Sequence, residues 1–395
     1  MTAQPTLRLK PPRGIRRRAG HPWVYSNEIN MDEAARACPP GEIVRLVSAN
    51  GEALGLASFN PHSLIAARRL TTDADSTIDT AFWATRLRRA LVIRERLYPG
   101  PYYRLIHSEA DGFPGLVADR YGDALVLQVN SAGMERALPD LLEAVEEVLA
   151  AKTVVIRADT RVRELEGLER YVRIARGELS GLVELEEDGV RALADLESGQ
   201  KTGWYYDQRD NRRFAAQLAR DARVLDLYCS SGGFSLAVAQ AGARSVVGLD
   251  SSDPALDTAR QAAALNGVEG RCRFERAKLF DAGEALSRER ERFDLVIADP
   301  PSFVSARREL KPGLRAYRKL ARLSASLVAR DGFLVIASCS HNVDEAAFAD
   351  AVARGLADAG RDARILRRSG AGADHPVHPA LPETAYLKCL GLALD

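Results

Sequence analysis

Residues 224–234 have the sequence VLDLYCSSGGF, an apolar strand pattern that runs into a turn with two adjacent glycines. We expect a helix to follow, and in open α/β sheets ligands bind where such a turn meets a helix N-terminus. Gly232 and Gly233 would let the backbone approach a ligand that a Cβ atom would exclude. The next predicted strand ends at Asp250, which is placed to accept hydrogen bonds from two ribose hydroxyls. The stretch therefore predicts a nucleoside-binding β–α unit.

The segments around this loop alternate between apolar strands and helices. The strands of this region are predicted at residues 224–228, 245–250, 273–277, 293–299 and 333–338. Strands that alternate with helices of about 10–15 residues form β–α–β units, so the sheet should be mostly parallel and covered on both faces. Residues 363–367 and 385–393 add two strands that can pair antiparallel. The predicted fold class is therefore α/β, with a Rossmann-like, mostly parallel seven-stranded sheet.

Three regions of different pattern divide the chain. Residues 1–72 contain short alternating runs broken by turn signals such as Asn50-Gly51, which is typical of a small β-rich domain. Residues 73–190 combine amphipathic helices with short strands and predict a compact α+β domain. Residues 191–395 carry the α/β pattern. We therefore predict three domains with these boundaries.

The cofactor loop lacks the dinucleotide pattern G-x-G-x-x-G, because Ser230 and Ser235 stand where it would need glycines. Asp226 within the strand and the adjacent glycines suit a cofactor that has a nucleoside and an amino-acid ammonium. S-adenosylmethionine is the cofactor we expect. The alternative is a tight strand-to-helix turn with a capping aspartate, but the combination of these residues with Asp250 favours the cofactor.

A second loop follows the fourth strand of this region, where residues 299–303 have the sequence DPPSF. The two prolines fix the backbone, so Asp299 and Phe303 should be held rigidly at the edge of the sheet, with Pro300 between them. An aromatic ring can stack on a planar base while a carboxylate pairs with a ring nitrogen or exocyclic amine. The loop predicts a base-binding site, and the alternative is an ordinary Asp-Pro-Pro turn.

Cys339 follows the fifth strand and should face Asp299, because the fourth and fifth strands are expected to be neighbours. Thiolate attack at carbon 6 of a pyrimidine makes carbon 5 nucleophilic enough to take a methyl group, and Asp299 at N3 would absorb the charge developed on the ring. A free thiol with a pKa of about 8.5 is only slightly ionised at neutral pH, so a nearby cation or dipole is expected, which the sequence does not identify. The alternative is a small buried core cysteine.

Composition excludes several classes of protein. Of the 395 residues 46% are hydrophobic and 28% are charged, which argues against disorder and fibrous repeats. No apolar run approaches the roughly 18 residues of a membrane span. The five cysteines never form a CxxC pair, so we expect no zinc site, no other metal and a reducing cytoplasm. The net charge is +1, yet residues 1–30 have a net charge of +5 and residues 301–330 a net charge of +7, as a local polyanion-binding face would require.

Several motifs together resemble the bacterial ribosomal RNA large-subunit cytosine-5 methyltransferases of the RlmI type, including the RlmO branch. The motifs that carry the resemblance are HPWVYS at residues 21–26, RVRELEGL at 161–168, GQKTGWYYDQRDNR at 199–212, DPPSF at 299–303, SCS at 338–340 and PETAYLK at 382–388. The resemblance implies an N-terminal PUA RNA-binding domain, a central α+β domain and a class I methyltransferase domain. It also implies 23S ribosomal RNA or a large-subunit precursor as the partner.

The same resemblance assigns roles to individual residues. It makes Cys339 the nucleophile and Asp226, Gly232, Gly233 and Asp250 the S-adenosylmethionine site. It places Tyr206 and Arg209 near the cofactor. Where the family often has an acidic residue against adenine, this chain has Lys278 and Leu279, so main-chain groups at these positions would contact the adenine. Pro301 stands where two-cysteine RNA methyltransferases have a second thiol, so product release would need none.

Two other functions are compatible with the residues. One is methylation of an exocyclic amine or of guanine N7 without a cysteine nucleophile; the other is a non-catalytic RNA-binding or ribosome-assembly protein. Phosphate contacts are predicted for the basic residues Lys10, Arg13, Arg16, Arg17, Arg18, Arg307, Arg308 and Lys311. The sequence does not determine the oligomeric state, and a homodimer is retained beside a monomer.

Overall fold

The structure is a computed structural model that describes residues 4–11, 20–199 and 201–395. The chain folds into two compact units. The first comprises the residues up to Gly181 together with Asp195–Gly203 and Ala373–Pro382. The second comprises Leu182–Ala194, Trp204–Gly372 and Glu383–Asp395, and it contains both loops that the sequence singled out.

The described part of the first unit has two sheets, with strand orders β1-β3-β4-β5-β2 and β10-β9-β8-β7-β6. Their strands are β1 Thr6–Arg8, β2 Trp23–Val24, β3 Glu42–Val47, β4 Ala53–Phe59, β5 Ala67–Thr71, β6 Tyr102–His107, β7 Leu116–Tyr121, β8 Ala124–Val129, β9 Thr153–Ala158 and β10 Tyr171–Arg176. The helices are α1 Glu33–Ala37, α2 Thr80–Leu97, α3 Ala132–Arg136 and α4 Leu138–Leu149. The predicted Asn50-Gly51 turn connects β3 to β4, and Gly51 adopts the positive φ of +89° that the turn requires.

The RVRELEGL motif has a structural role in this unit. Glu166 is buried and accepts hydrogen bonds from Asn60, Ser63 and Arg68, which lie on or beside the first sheet. Arg163 is also buried and is paired with Glu135 at 2.8 Å. The motif therefore joins the first sheet to the second within the unit, which explains its polar residues without a ligand.

The second unit contains the predicted α/β sheet, in the order β15-β14-β13-β16-β17-β19-β18. Its strands are β11 Val183–Glu187, β12 Val190–Ala194, β13 Arg223–Leu227, β14 Ser245–Asp250, β15 Cys272–Arg276, β16 Phe293–Ala298, β17 Val328–Ser338, β18 Ala363–Ser369 and β19 Lys388–Leu394. Its helices are α5 Arg209–Gln217, α6 Gly233–Gln240, α7 Asp253–Leu265, α8 Leu279–Arg288, α9 Leu310–Leu327 and α10 Glu345–Asp358. Strands β13 to β17 are parallel, and β19 is antiparallel to both β17 and β18, so the predicted fold class is confirmed.

Burial on both faces explains the apolar strands at the centre of this sheet. Residues Val224–Leu227 of β13 are all buried, as are Leu295–Ala298 of β16. Helix α7 begins after Ser252, and α10 begins after Asp344, whose side chains accept backbone N–H bonds in the first turn. Helix α9 begins at Leu310 and tolerates Pro312 because this proline lies in the first turn, where a missing N–H costs nothing. The parallel order brings the carboxyl ends of β13, β14, β16 and β17 to one edge.

Candidate active site

The loop after β13 has an unusual backbone. Tyr228, Ser230 and Gly232 have φ values of +66°, +49° and +85°, although only one of them is glycine. Left-handed residues other than glycine cost free energy and are typical of functional sites. The loop is held to β14 by hydrogen bonds from the Tyr228 and Cys229 N–H groups to the Leu249 carbonyl. The surrounding structure thus supports a strained turn at the carboxyl end of the sheet.

Asp226 lies inside the protein just before this turn. Its Oδ2 accepts from the Ser235 N–H at 3.0 Å and from the Ser235 hydroxyl at 2.7 Å. Its Oδ1 is buried and has no hydrogen-bond partner among the described residues. Burial raises the pKa of Asp226 to about 7, and the charges of Asp299 and Asp250 raise it too, while the Ser235 bonds oppose the shift. A buried acceptor of this kind needs a donor, which the described residues do not supply.

Asp250 ends β14 and is only half-buried. Its Oδ2 accepts from the Ser230 N–H at 2.9 Å and its Oδ1 from the Ser252 N–H at 3.0 Å. Each carboxylate oxygen can accept a second hydrogen bond. The side chain is therefore fixed in place by two backbone donors and retains acceptor capacity for hydroxyl groups.

Packing within the protein constrains both glycine positions, while the predicted approach of a ligand at these glycines stays a prediction. A Cβ on Gly232 would lie 2.9 Å from the Ala259 Cβ, and its φ of +85° already disfavours other residues. A Cβ on Gly233 would lie 3.2 Å from the Trp204 ring and 3.4 Å from Arg212. Packing within the protein, together with the turn, therefore explains both glycines before any ligand is considered.

Tyr206 lies in the short turn before α5, Arg209 is the first residue of α5, and both are buried. The Arg209 guanidinium is 5.4 Å from the centre of the Tyr206 ring, and its Nε is 3.2 Å from Glu187 Oε2. Arg212, which contacts the Gly233 position, binds the same carboxylate at 2.6 Å and 2.8 Å. These residues support the cofactor loop through an ion-pair network.

The neighbouring Tyr205 lies within electrostatic range of Asp299 and Cys339. Burial raises the pKa of its phenol, and negative charge on Asp299, Asp207, Cys339 and Asp250 raises it further. The phenol therefore remains protonated throughout the neutral pH range and can donate a hydrogen bond among these acidic groups. The family motif pointed to Tyr206, whereas Tyr205, which precedes it in the same WYYDQR run, carried no signal of its own.

Asp299 and Cys339 are brought together as predicted. They follow β16 and β17, which pair in parallel with Ala298 opposite Ile336. Cys339 Sγ lies 3.9 Å from the Pro300 carbonyl oxygen. Cys339 is partly exposed, whereas Cys38, Cys229 and Cys389 are buried. The alternative of a sealed core cysteine therefore does not describe Cys339.

A network of buried hydroxyls fixes the backbone on both sides of Cys339. The Tyr317 hydroxyl lies 2.8 Å from Ser338 Oγ and 2.8 Å from Ser340 Oγ, and all three residues are fully buried. Ser340 Oγ also lies 2.9 Å from Ser302 Oγ in the second loop. The Tyr317 ring packs against Phe303 with ring centres 4.8 Å apart. One tyrosine therefore positions both the cysteine and the aromatic residue of the DPPSF loop.

Lys388 is a buried cation next to the same loop. It is the first residue of β19 and lies opposite Ser338 in the sheet. Its Nζ donates to the Ser340 carbonyl at 2.6 Å and to the Tyr386 carbonyl at 2.7 Å. The sequence predicts a cation near the thiol without identifying it. The PETAYLK motif contained the signal, because a lysine at the start of an apolar strand is unusual in a buried sheet.

Comparison with known proteins identifies the family. Residues 103–390 match the family model described as S-adenosylmethionine-dependent methyltransferase, and residues 7–72 match that of a PUA-like domain. A Cronobacter sakazakii protein named ribosomal RNA large subunit methyltransferase I is 37% identical over 377 residues, which span 93% of this chain and 94% of that protein. The Aeromonas hydrophila protein of the same name is also 37% identical, over 94% of each chain.

The chain belongs to the ribosomal RNA large subunit methyltransferase I family. The predicted family is thereby confirmed, and the enzyme is an S-adenosylmethionine-dependent methyltransferase. Solved structures agree on the fold. A Streptococcus mutans protein assigned as a SAM-dependent methyltransferase has a TM-score of 0.81 at 18% identity and covers 99% of this chain and 100% of its own. SMU.776, crystallised with SAH, also has a TM-score of 0.81 at 18% identity, with coverage of 95% and 96%.

The geometry of this methyltransferase fits its cofactor. Asp226 Oδ1 is an unpartnered buried acceptor that suits the ammonium of S-adenosylmethionine. Asp250, with its spare acceptor capacity, suits the two ribose hydroxyls. Lys278 is exposed at the start of α8, and the Leu279 side chain belongs to the hydrophobic core. Contact of main-chain groups of these two residues with adenine stays a prediction.

The predicted RNA-binding residues of the methyltransferase are only partly described. Arg307, Arg308 and Lys311 follow the DPPSF loop in the chain and are exposed. None of them forms an ion pair with a described carboxylate. Lys10 is exposed, and its Nζ lies 3.2 Å from the Asn27 carbonyl. Arg13, Arg16, Arg17 and Arg18 lie outside the described residues.

Over the ranges that the structure covers, no helix is long and apolar enough to cross a membrane, and no cluster of His, Cys, Asp or Glu could hold a metal.

Proposed function

We propose that this enzyme methylates carbon 5 of a cytosine in 23S ribosomal RNA and that Cys339 is its nucleophile. One observation carries the proposal: a partly exposed thiol, 3.9 Å from the Pro300 carbonyl, lies beside Asp299 at the carboxyl end of the sheet that holds the cofactor loop. The relatives named ribosomal RNA large subunit methyltransferase I support the RNA substrate. If the reaction did not use the thiol, nothing in the mechanism would require this cysteine to be accessible.

The chemistry follows from what each side chain can do. S-adenosylmethionine, when bound, supplies an electrophilic methyl group. The Cys339 thiolate adds its electron pair to carbon 6, and the former double bond makes carbon 5 nucleophilic. Asp299 holds or donates a proton at N3, which absorbs the charge on the ring. As carbon 5 takes the methyl group, N3 returns its proton to Asp299. Carbon 5 then releases its own proton, and the electron pair of that bond re-forms the double bond between carbons 5 and 6 and expels the thiolate, so that hydrogen is replaced by methyl.

The substrate base must leave its stack to reach this thiol. Phe303, which the Tyr317 ring holds in place, is suited to stack on the extruded base. The rigid Pro300 peptide keeps Asp299 at a fixed position beside the base. Tyr205, a protonated phenol among acidic groups, is suited to donate to the carbonyl oxygen of cytosine.

Phosphate contacts are the second part of the proposal. Arg307, Arg308 and Lys311 have no acidic partner among the described residues, so their charges are available to RNA. Lys10, Arg13 and Arg16–Arg18 lie within the match to the PUA-like domain and add a second basic segment.

Three further predictions belong to the proposal. The chain has three domains, at residues 1–72, 73–190 and 191–395. The enzyme acts in the cytoplasm, and its RNA substrate is 23S ribosomal RNA or a large-subunit precursor. The homodimer remains a prediction, which sedimentation of the purified protein would test.

A substitution pair tests the nucleophile. Cys339→Ala should abolish methyl transfer to 23S ribosomal RNA, whereas Cys389→Ala, which removes a buried thiol on the adjacent strand, should retain it. Wild type should also form a covalent complex with RNA that contains 5-fluorocytidine, because fluorine cannot leave carbon 5 as a proton does. Turnover by Cys339→Ala at the wild-type rate would disprove the covalent mechanism.

Mass mapping of the product tests the substrate atom. The proposal requires 5-methylcytosine in the methylated RNA. Methylation of an exocyclic amine or of guanine N7 would exclude it and would leave Cys339 without a chemical role. RNA binding without S-adenosylmethionine binding would instead favour the non-catalytic alternative.

A further inference from the structure

The thiol that the proposed mechanism uses must ionise, and the structure places one buried cation beside it. Lys388 is only 6% exposed and lies opposite Ser338, which immediately precedes Cys339 in the chain. Its ammonium donates to the carbonyl of Ser340, which immediately follows Cys339. The cation is therefore bound to the backbone of the cysteine loop itself, and not to a distant part of the sheet.

Lys388 lacks the acidic partner that buried lysines normally have. Both of its hydrogen-bond acceptors, the Ser340 and Tyr386 carbonyls, are neutral, and among the described residues no carboxylate lies within ion-pair distance of Nζ. A buried charge is costly unless it is paired. A thiolate at Cys339 would supply the missing negative charge, and two acceptors leave one of the three N–H groups unassigned.

We propose that Lys388 is a positioning residue whose positive charge stabilises the thiolate of Cys339. The inference rests on the proposed function insofar as the thiolate is the nucleophile. Burial lowers the pKa of Lys388, whereas negative charge on Cys339 and on Asp344 raises it, as expected if the ammonium and the thiolate stabilise each other. Tyr205 and Tyr317, which are coupled electrostatically to Cys339, are neutral, and Asp299 is acidic, so none of these three supplies a cation. His341, two residues after Cys339, is a further titratable group of the same loop, and its ring lies 5.0 Å from the Tyr386 ring.

The test measures thiolate formation directly. The rate at which iodoacetamide modifies Cys339 is followed against pH by peptide mass spectrometry, in the full-length protein without RNA. Lys388→Met should move the midpoint of this profile upward by about one pH unit or more, because an adjacent opposite charge shifts an ionisation by about one to three units. Lys388→Arg should keep the midpoint close to that of wild type. Lys319→Met, which removes an exposed lysine paired with Glu284, is the control and should leave the profile unchanged.

The outcomes separate this inference from the proposed function. If the midpoint is the same in Lys388→Met and wild type, Lys388 only binds the loop and the inference is wrong, whatever the activity of Cys339→Ala. If the midpoint moves while Cys339→Ala remains active, the charge coupling holds and the covalent mechanism fails. Should Lys388→Met not fold, as thermal melting would reveal, Lys388→Gln and Lys388→Arg carry the same comparison, with a shift expected only in the glutamine variant.

Discussion

Among individual residues, Asp226 is a fully buried carboxyl whose pKa is strongly raised by folding. Its pKa of about 7 means that the carboxyl changes charge within the range in which enzymes are assayed. The unpartnered Oδ1 suits the ammonium of the cofactor only when the carboxyl is ionised. Cofactor binding and the ionisation of this one residue should therefore be linked.

The expected result is that affinity for S-adenosylhomocysteine rises by up to about tenfold per pH unit below 7 and levels off above it. Calorimetric titration between pH 5.5 and 8.5 measures this, together with the proton released on binding. Ser235→Ala removes a hydroxyl that favours the ionised form, so its profile should move to higher pH. A wild-type affinity that does not change with pH would contradict the assignment.

The same residue predicts a pH dependence of stability. The folded-state pKa lies above the unfolded value, so the folded protein holds its proton more tightly, and the stability present below about pH 4 decreases as pH rises towards 7. Asp226→Asn removes this loss. The melting temperature of Asp226→Asn relative to wild type should therefore be higher at pH 8 than at pH 5. An equal difference at the two values would show that Asp226 ionises normally.

Among the secondary-structure elements, helix α9 contacts both the DPPSF loop and the loop that contains Cys339. It carries Tyr317, whose hydroxyl lies within hydrogen-bond distance of Ser338 and Ser340 and whose ring packs on Phe303. Tyr317→Phe removes the hydroxyl and keeps the ring. We expect a stability loss of about 1–3 kcal/mol from the unsatisfied serines, and a decrease in kcat of about 10- to 100-fold, because the thiol is no longer held in position.

The KM for S-adenosylmethionine should stay unchanged in Tyr317→Phe, since Asp226 and Asp250 are untouched. Tyr121→Phe is a matched control, because it removes a buried hydroxyl that donates to the Thr202 carbonyl in the first unit. It should lower stability without lowering kcat. If both variants lose activity in proportion to stability, Tyr317 has only a structural role.

The β11–β12 hairpin supports the cofactor loop through Glu187. This buried carboxylate binds Arg212 and Arg209 at the same time. Glu187→Gln removes the negative charge that Glu187 supplies to two buried guanidinium groups and should lower the free energy of unfolding by about 3–5 kcal/mol. Glu184→Gln on the same strand breaks an exposed pair with Arg191 and should have little effect. Urea unfolding compares the two, and equal losses would contradict the network.

For the whole molecule, the distribution of charge matters more than the net charge of +1. Arg307, Arg308 and Lys311 lie on a basic segment that follows the DPPSF loop. Their combined replacement by alanine should weaken RNA binding and reduce the dependence of log Kd on log salt by about 0.7 for each phosphate that the variant no longer binds. The control is Arg318→Ala with Lys319→Ala, since these exposed residues of α9 are already paired with Asp358 and Glu284. An unchanged salt slope in the triple variant would exclude these phosphate contacts.

The fold and part of the site could be predicted because their signals are local or periodic. Apolar strands alternating with helices indicated a parallel sheet, and the sheet order then brought Asp299 and Cys339 together without any further information. Asp226 was identifiable because it nearly ends a strand next to a glycine turn, and Asp250 because it ends the strand that follows. The late strands at Ala363–Ser369 and Lys388–Leu394 pair antiparallel as expected.

The supporting residues could not be predicted, since their importance depends on partners far away in the chain. Tyr317 has the spacing of an ordinary core residue of α9, and only the fold puts its hydroxyl between Ser338 and Ser340. Lys388 lies beside the cysteine loop only because β19 pairs with β17, and Glu187 forms its ion pairs only because its hairpin packs against α5. The sequence by itself determined the α/β class and the cofactor and predicted Asp299 and Cys339 as the reactive side chains, because strand ends and turn residues are encoded locally. Tertiary structure alone decided which buried charges and hydroxyls hold those side chains in place, because burial and long-range contact do not exist until the chain has folded.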